Sequence, residues 1–451
     1  MSAHPSNAPV RAELRATVRL AWPLALAFGG NQLLGVVDTA VAGRLGEVAI
    51  AATGLANSIF FGCCILAMGT LMALDPVASQ ALGAGRPGVA RRALRESMWL
   101  AGAMSLPVML LIAMVHGPAM AAVGVGAETA DAVTAYLWAR TPSAFPLLAH
   151  TALRSYLQAR HHARPVLLGT IAANVVNLPL SIYLGFGDDA LRAVGLPGVG
   201  FDGWGVFGLA VASTVVMVLQ MVVLVLALRR LPPPPDAGPP TRAGMATILR
   251  LGWPIGTAYL AEASSFVVTT VLAGAFGAVA VGGHNVALQL VSFTFSMCFG
   301  LSAASAVRVG HAVGAEDPVA ARRAGFVGMG TGTAFMGCSA LMFAVAAHPV
   351  ARLVTDEPAV VDAAVPLLHV AAVFQIFDGL QAVAAGALRG RGDTRGAMVL
   401  ALIGHWVIGL PTGVGLAFGL DWGPLGLWWG LSAGLGFAGV GMLLRFAWGT
   451  R

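Results

Sequence analysis

The longest apolar runs of the chain set the strongest limit on its fold. Positions 210–228, 325–347 and 399–420 contain no Asp, Glu, Lys or Arg. Runs of about 20 apolar residues are long enough to cross the roughly 30 Å hydrocarbon core of a bilayer as α-helices. Only 10% of the residues are charged, whereas a soluble chain carries roughly 25%, so a globule of this size would lack polar surface. The sequence therefore predicts an all-α polytopic membrane protein.

Twelve such runs are spread along the 451 residues. The predicted spans are 16–40, 48–75, 92–115, 130–150, 164–187, 205–228, 246–273, 279–305, 324–347, 361–387, 397–419 and 425–447. The first run is too long for a cleavable signal sequence and has Asp38 at its far end, so we expect it to remain as the first span.

The distribution of arginine predicts how the spans are oriented. All 26 basic residues are arginines, and 22 of them fall on one side when the N-terminus is placed in the cytoplasm. Arg44, Arg192 and Arg352 fall on the opposite side, and Arg140 lies within the fourth predicted span. The positive-inside rule then places both termini in the cytoplasm, and we expect a multi-pass protein of the inner (plasma) membrane. Because this topology accounts for the net charge of +6, we predict no nucleic-acid partner.

The two halves of the chain share a pattern at one constant spacing, the repeat offset, which is the separation in sequence between Pro23 and Pro254. At this offset Trp22-Pro23 recurs as Trp253-Pro254, and the Arg-Arg-Ala triplet at 91–93 recurs at 322–324. Between the halves, the stretch LPPPPDAGPP at 231–240 is too rich in proline for a helix and is typical of a stiff linker. We therefore predict an N-lobe at 1–230, a Pro-rich cytoplasmic linker at 231–243 and a C-lobe at 244–451. Six spans in each half make the repeats parallel, as in transporters that rock one half against the other around a substrate.

Four acidic side chains fall inside or at the edge of the apolar runs: Asp38, Asp75, Glu262 and Asp378. A charge at the bilayer centre costs roughly 2.5–3.5 kcal/mol, so each group must meet water, a partner, a cation or a proton. Glu262 and Asp378 lie in the middle of spans, and Asp38 follows the kink expected at Pro23, which favours a functional role for all three. Asp75 lies near a cytoplasmic end, where helix capping is favoured. With no lysine in the chain, we expect water, a cation or a proton as their partner.

Two amides accompany these acids in the fifth predicted span. Asn174 and Asn177 offer carbonyl oxygens to a monovalent cation, but such amides can equally form interhelical hydrogen bonds, and both interpretations remain open. No nucleotide-binding, nucleophile or metal-ligand motif occurs. We therefore predict a protein that is not an enzyme, needs no cofactor and draws on an ion gradient for uphill transport.

Several stretches, in their order and spacing, resemble the MATE family (multidrug and toxic compound extrusion) and its bacterial NorM-type branch. They are WPLALAFGGNQLLGVVDTAVAGRLG, LDPVASQALGAG, AEASSF, LAGAFGAVAVGGHNVALQ, SAASAVRVGHAVGAED, FDGLQAVAAGALRGRGDTR and HWVIGLP. The resemblance runs from about Leu20 to Arg445. It implies two six-helix lobes around a central cavity, and export of cationic or amphipathic organic compounds in exchange for Na+ or H+.

The resemblance also implies where the coupling ion binds. It implies an N-lobe site at Asp38, Asn174 and Asn177, and a C-lobe site at Glu262 and Asp378. Na+ could therefore bind at any of the three acids. NorM-type proteins can carry a tyrosine one turn before the C-lobe aspartate, where this chain has Phe374. The missing hydroxyl favours proton coupling. We assign Pro23, Phe374 and Gln289 to the substrate cavity or its gate.

Two other functions are weighed against this one. A flippase for lipid-linked intermediates of the same superfamily would need arginines facing the cavity, whereas the embedded charges are acidic; Arg140 would favour the flippase if it faced the cavity. A membrane-embedded enzyme would show a nucleophile motif or clustered metal ligands, which the sequence lacks. The predicted partners are thus small organic cations, Na+ or H+ and the lipid bilayer, with a monomer as the expected state.

Overall fold

The computed structural model of the protein describes residues 10–193, 195–234 and 236–450. Pro235 of the predicted linker and Arg451, counted above among the cytoplasmic arginines, lie outside the described residues. The structure is 88% helical, and no strand occurs in the part of the chain that it describes. The predicted all-α class is therefore confirmed.

Sixteen α-helices follow one another along the described residues. They are α1 Val10–Leu45, α2 Glu47–Leu71, α3 Leu74–Gly83, α4 Pro87–Val123, α5 Ala127–Arg140, α6 Ala144–Ala159, α7 Arg164–Phe186, α8 Asp188–Ala193, α9 Gly205–Arg229, α10 Arg242–Ala273, α11 Ala278–Gly314, α12 Pro318–Ala351, α13 Pro358–Arg391, α14 Thr394–Leu402, α15 Leu410–Val414 and α16 Pro424–Gly449. Two π-helical stretches, Ile403–Gly409 and Gly415–Gly419, flank α15, so that α14 and α15 form one span.

Eleven helical segments of the described residues are long and apolar enough to cross a membrane. The predicted span at 130–150 is the exception, because it consists of α5 and α6 joined by a short 3₁₀ turn at Thr141–Ser143. Pro142 lies in that turn, and proline cannot supply the backbone N–H that a continuous helix needs. With this broken segment counted, each half of the chain contributes six helical segments.

The helices extend further than the predicted spans. For example, α1 begins at Val10 rather than 16, and α13 runs to Arg391 rather than 387. Apolarity ends where charged residues begin, but the helix ends only where its last N–H and C=O groups find other partners. At the start of α10, for instance, the Thr241 hydroxyl accepts a hydrogen bond from the N–H of Gly244 at 3.0 Å.

The two halves meet at two helix crossings that are related by the repeat offset. In one, Gly69 of α2 lies directly against the backbone of Gly256 in α10; in the other, Gly300 of α11 lies directly against the backbone of Ala25 in α1. A Cβ at Gly69 or Gly300 would overlap the facing backbone. Gly69 and Gly300 occupy equivalent positions of the two repeats, so the sequence repeat also describes the contact between the halves.

Polar contacts between the halves cluster at the end of the bundle that carries the arginine-rich loops. Gln80 of α3 donates to the carbonyl of Gly390 in α13 at 2.9 Å. Both carboxylate oxygens of Glu13, at the start of α1, accept from Arg308 of α11, at 2.8 and 2.7 Å. The halves are therefore held together at this end.

Candidate coupling sites in the two halves

The Asp38 carboxylate lies buried among three helices of the first half. Its Oδ2 accepts a 2.7 Å hydrogen bond from the Ser213 hydroxyl of α9, and its Oδ1 accepts from the Asn177 amide of α7 at 3.2 Å. The same amide lies 3.4 Å from the Ser181 hydroxyl, one turn along α7. Both oxygens of Asp38 thus have a protein donor, and α1, α7 and α9 are joined at this point.

The two asparagines of α7 have different partners. Asn177 contacts Asp38, whereas the Asn174 amide donates to the carbonyls of Gly30 in α1, at 3.0 Å, and Thr170, at 2.9 Å. The structure therefore brings Asn177 to the acid and places Asn174 against the backbone of α1. The binding role predicted for each remains a prediction.

An arginine from α5 completes the surroundings of Asp38. The charge of Arg140 interacts with that of Asp38, and the guanidinium lies 4.9 Å from the ring centre of Phe60. Arg140 is buried, and its Nε and Nη1 have no hydrogen-bond partner among the described residues. Sequence reasoning did not connect Arg140 or Ser213 with Asp38, because both are distant in sequence and carry no motif.

In the second half, Glu262 of α10 and Asp378 of α13 are close enough for their charges to interact. Asp378 is buried and Glu262 is half-buried. Their one described side-chain hydrogen bond is long: the Gln381 amide lies 3.5 Å from Oε2 of Glu262. Two carboxyl groups therefore lie within reach of each other's charge, and among the described residues only Glu262 has a donor, which is a weak one.

A small cavity adjoins Glu262, the acid of this pair that lines it. It has a volume of about 40 Å³ and is lined in part by Glu262, Tyr259, Gln381 and Arg389. A water needs roughly 10–15 Å³ on such a measure. The cavity is thus large enough for a water or a small monovalent cation beside a carboxylate.

A buried ion pair joins the two halves next to this cavity. Asp75 of α3 lies 3.5 Å from the Arg389 guanidinium of α13 and accepts a 2.6 Å hydrogen bond from the Gln158 amide. Arg389 also donates to the Tyr259 hydroxyl at 2.8 Å, and the charge of Arg154 acts on the same cluster. Asp75 therefore has an arginine partner from the other half, rather than the helix-capping role expected from the sequence.

The residues assigned to the cavity or gate lie in different surroundings. Pro23 is buried within α1, which continues through it. Phe374 is fully buried, and its ring packs 6.1 Å from that of Phe266 and 5.8 Å from that of Trp428. Gln289 of α11 is exposed. None of the three contacts an acid through a described hydrogen bond, and their transport roles remain predictions.

The searched residues hold no cluster of three or more His, Cys, Asp or Glu that could bind a metal ion as a group. A Na+ ion at the acids above would be a transported ion, held by carboxylate and amide oxygens, which are the hard ligands that such cations accept.

The chain matches a known protein family. The family model MatE matches the chain twice, at residues 23–183 and 254–414. The second match is displaced from the first by the repeat offset, since the two begin at Pro23 and Pro254.

Individual relatives are similar in sequence to this chain over nearly their whole length. The multidrug resistance protein NorM of Burkholderia vietnamiensis is 36% identical over 445 residues, which cover 95% of this chain and 93% of that protein. A probable multidrug resistance protein NorM of Deinococcus radiodurans is 36% identical, with 98% and 96% covered. The crystal structure of the eukaryotic MATE transporter AtDTX14 has a TM-score of 0.87 at 22% identity, covering 98% of this chain and 99% of that one, and so supports the fold.

Proposed function

The chain belongs to the MatE family, and from this membership we propose that it is a secondary active antiporter of the membrane. In this proposal it exports cationic or amphipathic organic compounds in exchange for Na+ or H+ by alternating access, with both termini in the cytoplasm. The relatives named multidrug resistance protein NorM support drugs as cargo, and toxins and secreted metabolites are part of the proposal.

The observation that carries the proposal is the pair of Glu262 and Asp378. Two carboxyl groups lie within reach of each other's charge inside the membrane-spanning bundle, and the described residues give Glu262 one donor at 3.5 Å and Asp378 none. Intramembrane acids without a protein partner need a proton, a cation or water. This pair is therefore the group that most needs a bound proton or cation, and a cationic cargo can take the place of that ion.

Exchange follows from competition for the same negative charge. If cargo lowers the affinity of the site for the ion, the ion must lower the affinity for cargo by the same factor. An ion that enters down its gradient then releases the cargo outside. Phe374, which offers no oxygen ligand near Asp378, favours H+ over Na+ at this site.

Alternating access further requires that the contact between the halves can open. The buried pair of Asp75 and Arg389, with Tyr259 and Gln158, closes the end of the bundle that carries the arginine-rich loops. We assign this cluster the role of a reversible seal, because opening would return both charges to water. Pro23, Gln289 and Phe374 would line or gate the cavity, and Asp38 with Asn177 would set the position of α1.

The test is efflux of a fluorescent cationic dye from proteoliposomes under an imposed Na+ gradient or an imposed pH gradient. We expect one of the gradients to drive efflux by the wild type, and Asp378→Asn to abolish it. Efflux that neither gradient drives, across a panel of cations, would contradict the antiporter. Asp362→Asn, which neutralises an exposed aspartate of the same helix α13, is the matched control and should retain efflux.

One observation favours a second function, the flippase for lipid-linked anionic intermediates. Arg140 and Arg154 are both buried, and each has at least one nitrogen without a described hydrogen-bond partner. Such arginines could face an anionic cargo. Three results together would support this function over the antiporter. The protein would transport a lipid-linked diphosphate, it would not transport the cationic dyes, and Arg140→Gln would lose transport of the diphosphate.

A further inference from the structure

A basic cavity of about 670 Å³ opens between α1 and the start of α7. Its wall includes Arg15 and Arg19 of α1, Arg164 of α7 and Arg308 of α11. It lies at the end of the bundle that carries the arginine-rich loops. Of the residues given a role in the transport mechanism above, Pro23 alone lines it, and none of the acids assigned to ion coupling does.

The positive charge in this cavity is not neutralised by the protein. Arg308 is paired with Glu13, whose two carboxylate oxygens are both engaged at 2.8 and 2.7 Å. Arg15, Arg19 and Arg164 make no ion pair among the described residues, and all three are exposed. Three guanidinium groups thus converge on one opening without a carboxylate partner.

Along the exposed face of α1, arginines come first and large apolar residues follow. This is the order of the charged headgroup and the acyl chains in a phospholipid. Arg15, Arg19, Trp22 and Leu26 are spaced by four, three and four residues, which places them along one face of a helix. Trp22 and Leu26 are each 46% exposed, although both are large and apolar. Tryptophan is enriched at the level of lipid headgroups, and aliphatic side chains beyond it face the acyl chains.

One histidine of the cavity, His161, adds little charge at neutral pH. His161 lies in the loop before α7, where burial, and then the neighbouring His311, Arg308 and His162, lower its pKa to about 4. Recognition of an anion at pH 7 would therefore rest on the arginines.

We propose that this cavity, formed by Arg15, Arg19 and Arg164 above Trp22, binds the phosphate headgroup of an anionic phospholipid. The guanidinium groups would hold the phosphate, since they match its geometry with paired N–H donors. The acyl chains would follow Trp22 and Leu26 into the bilayer. Basic pockets between membrane helices on the cytoplasmic side are suited to anionic headgroups. This binding is independent of which compound the protein transports.

The test is native mass spectrometry of the full chain in detergent, titrated with dioleoylphosphatidylglycerol, dioleoylphosphatidylcholine or inorganic phosphate. We expect the wild type to bind phosphatidylglycerol at least about tenfold more tightly than phosphatidylcholine. Arg15→Gln/Arg164→Gln should weaken phosphatidylglycerol binding about 25-fold, from about a fivefold loss for each arginine, and should leave phosphatidylcholine unchanged.

The matched control is Arg229→Gln/Arg230→Gln, which removes two exposed arginines that do not line this cavity. The control should change the affinity less than about twofold. An equal loss in both double variants would mean diffuse surface charge and would overturn the proposal, as would equal affinity for the two lipids. Displacement of the lipid by millimolar inorganic phosphate would identify a free phosphate site instead. If the double variant does not fold, Arg15→Gln alone supplies the comparison.

Discussion

The two halves share one fold, but they hold their acidic groups in opposite ways. Asp38 has a protein donor for each oxygen, at 2.7 and 3.2 Å, and an arginine charge nearby. Glu262 has one described donor, at 3.5 Å, Asp378 has none among the described side chains, and the two act on each other with like charge. The first arrangement is complete without a bound ion, whereas the second needs one, so we assign ion coupling to the second half.

Equivalent positions of the two repeats carry different residues at the acidic sites. The position equivalent to Asp38 holds Thr269, whose hydroxyl donates to the Ser265 carbonyl at 2.8 Å. The position equivalent to Glu262 holds Asn31, which accepts from Gln220 at 2.9 Å. The position equivalent to Asp378 holds Leu147, so none of these three acids has an acidic counterpart in the other half. The repeat therefore conserves helices and their crossings, while the charged chemistry of each half is its own.

The largest effect should come from neutralising each acid in turn. We expect Glu262→Gln and Asp378→Asn to reduce gradient-driven dye efflux to the level of protein-free liposomes, because they remove the carboxylates that bind the coupling ion. Asp38→Asn should keep a measurable rate, because its partners are protein donors. Initial efflux rates at equal amounts of reconstituted protein measure the difference. An inactive Asp38→Asn, together with an Asp378→Asn that still transports, would contradict the assignment of ion coupling to the second half.

The seal between the halves should dominate stability. Asp75→Asn leaves Arg389 buried without its carboxylate and should lower the free energy of unfolding by about 3–5 kcal/mol. The double variant Asp75→Asn/Arg389→Gln removes both charges and should lose less than the single variant. Chemical unfolding in mixed micelles measures both values. A double variant that loses as much as the sum of the single variants would show that the two residues do not form a pair.

The difference in hydrogen bonding between Asp38 and Glu262 can be tested by removing the uncharged side chains that donate to them. Ser213→Ala removes the 2.7 Å bond to buried Asp38 and should cost about 1–3 kcal/mol of stability. Gln381→Leu removes only the 3.5 Å contact to Glu262, and the Oε1 of Gln381 already lacks a described partner, so this change should cost less than about 1 kcal/mol. Thermal unfolding of the two variants ranks them. The reverse order would contradict the hydrogen bonding described for the two sites.

The smallest expected effect concerns the loop before α7 and its counterpart in the other half. His161 has a positive φ of 58°, and the equivalent position in the second repeat is Gly392, with φ 88°. The folded pKa of His161 is lowered to about 4 from an ordinary value of 6.5. Between these values the unfolded chain binds more protons than the folded one, so stability should fall as pH drops from 6.5 to about 4.

The variant His161→Gly gives this loop the residue that the second half uses. It should show a shallower fall of unfolding temperature between pH 6.5 and 4 than the wild type, because the titrating group is gone. His162→Gln, the adjacent exposed imidazole, is the matched control. Identical slopes for wild type and His161→Gly would rule out a contribution from His161.

Much of the fold could be predicted from the sequence, because membrane spans are fixed by length and apolarity alone. The helix ends could not, because backbone hydrogen bonding continues past the last apolar residue. Arg154 and Arg389 illustrate the consequence: beyond the apolar runs they were assigned to loops, but α6 and α13 continue through them and bury both side chains.

The candidate sites could be predicted only in part. Glu262 and Asp378 stand out because an acid within an apolar run is costly without a function. Gln381 and Ser213 do not stand out, since neutral polar residues are common in membrane helices. The pairing of Asp75 with Arg389 joins residues from different halves, and no local pattern in the sequence brings them together.

The most direct test of coupling in the second half is ion release on binding of cargo. Purified full-length protein in detergent is loaded with ²²Na+ or equilibrated with a pH-sensitive dye, and tetraphenylphosphonium is added. We expect the wild type and Asp38→Asn to release Na+ or H+, and Asp378→Asn to release neither. Release that persists in Asp378→Asn but is lost in Asp38→Asn would place the coupling ion in the first half and contradict the assignment.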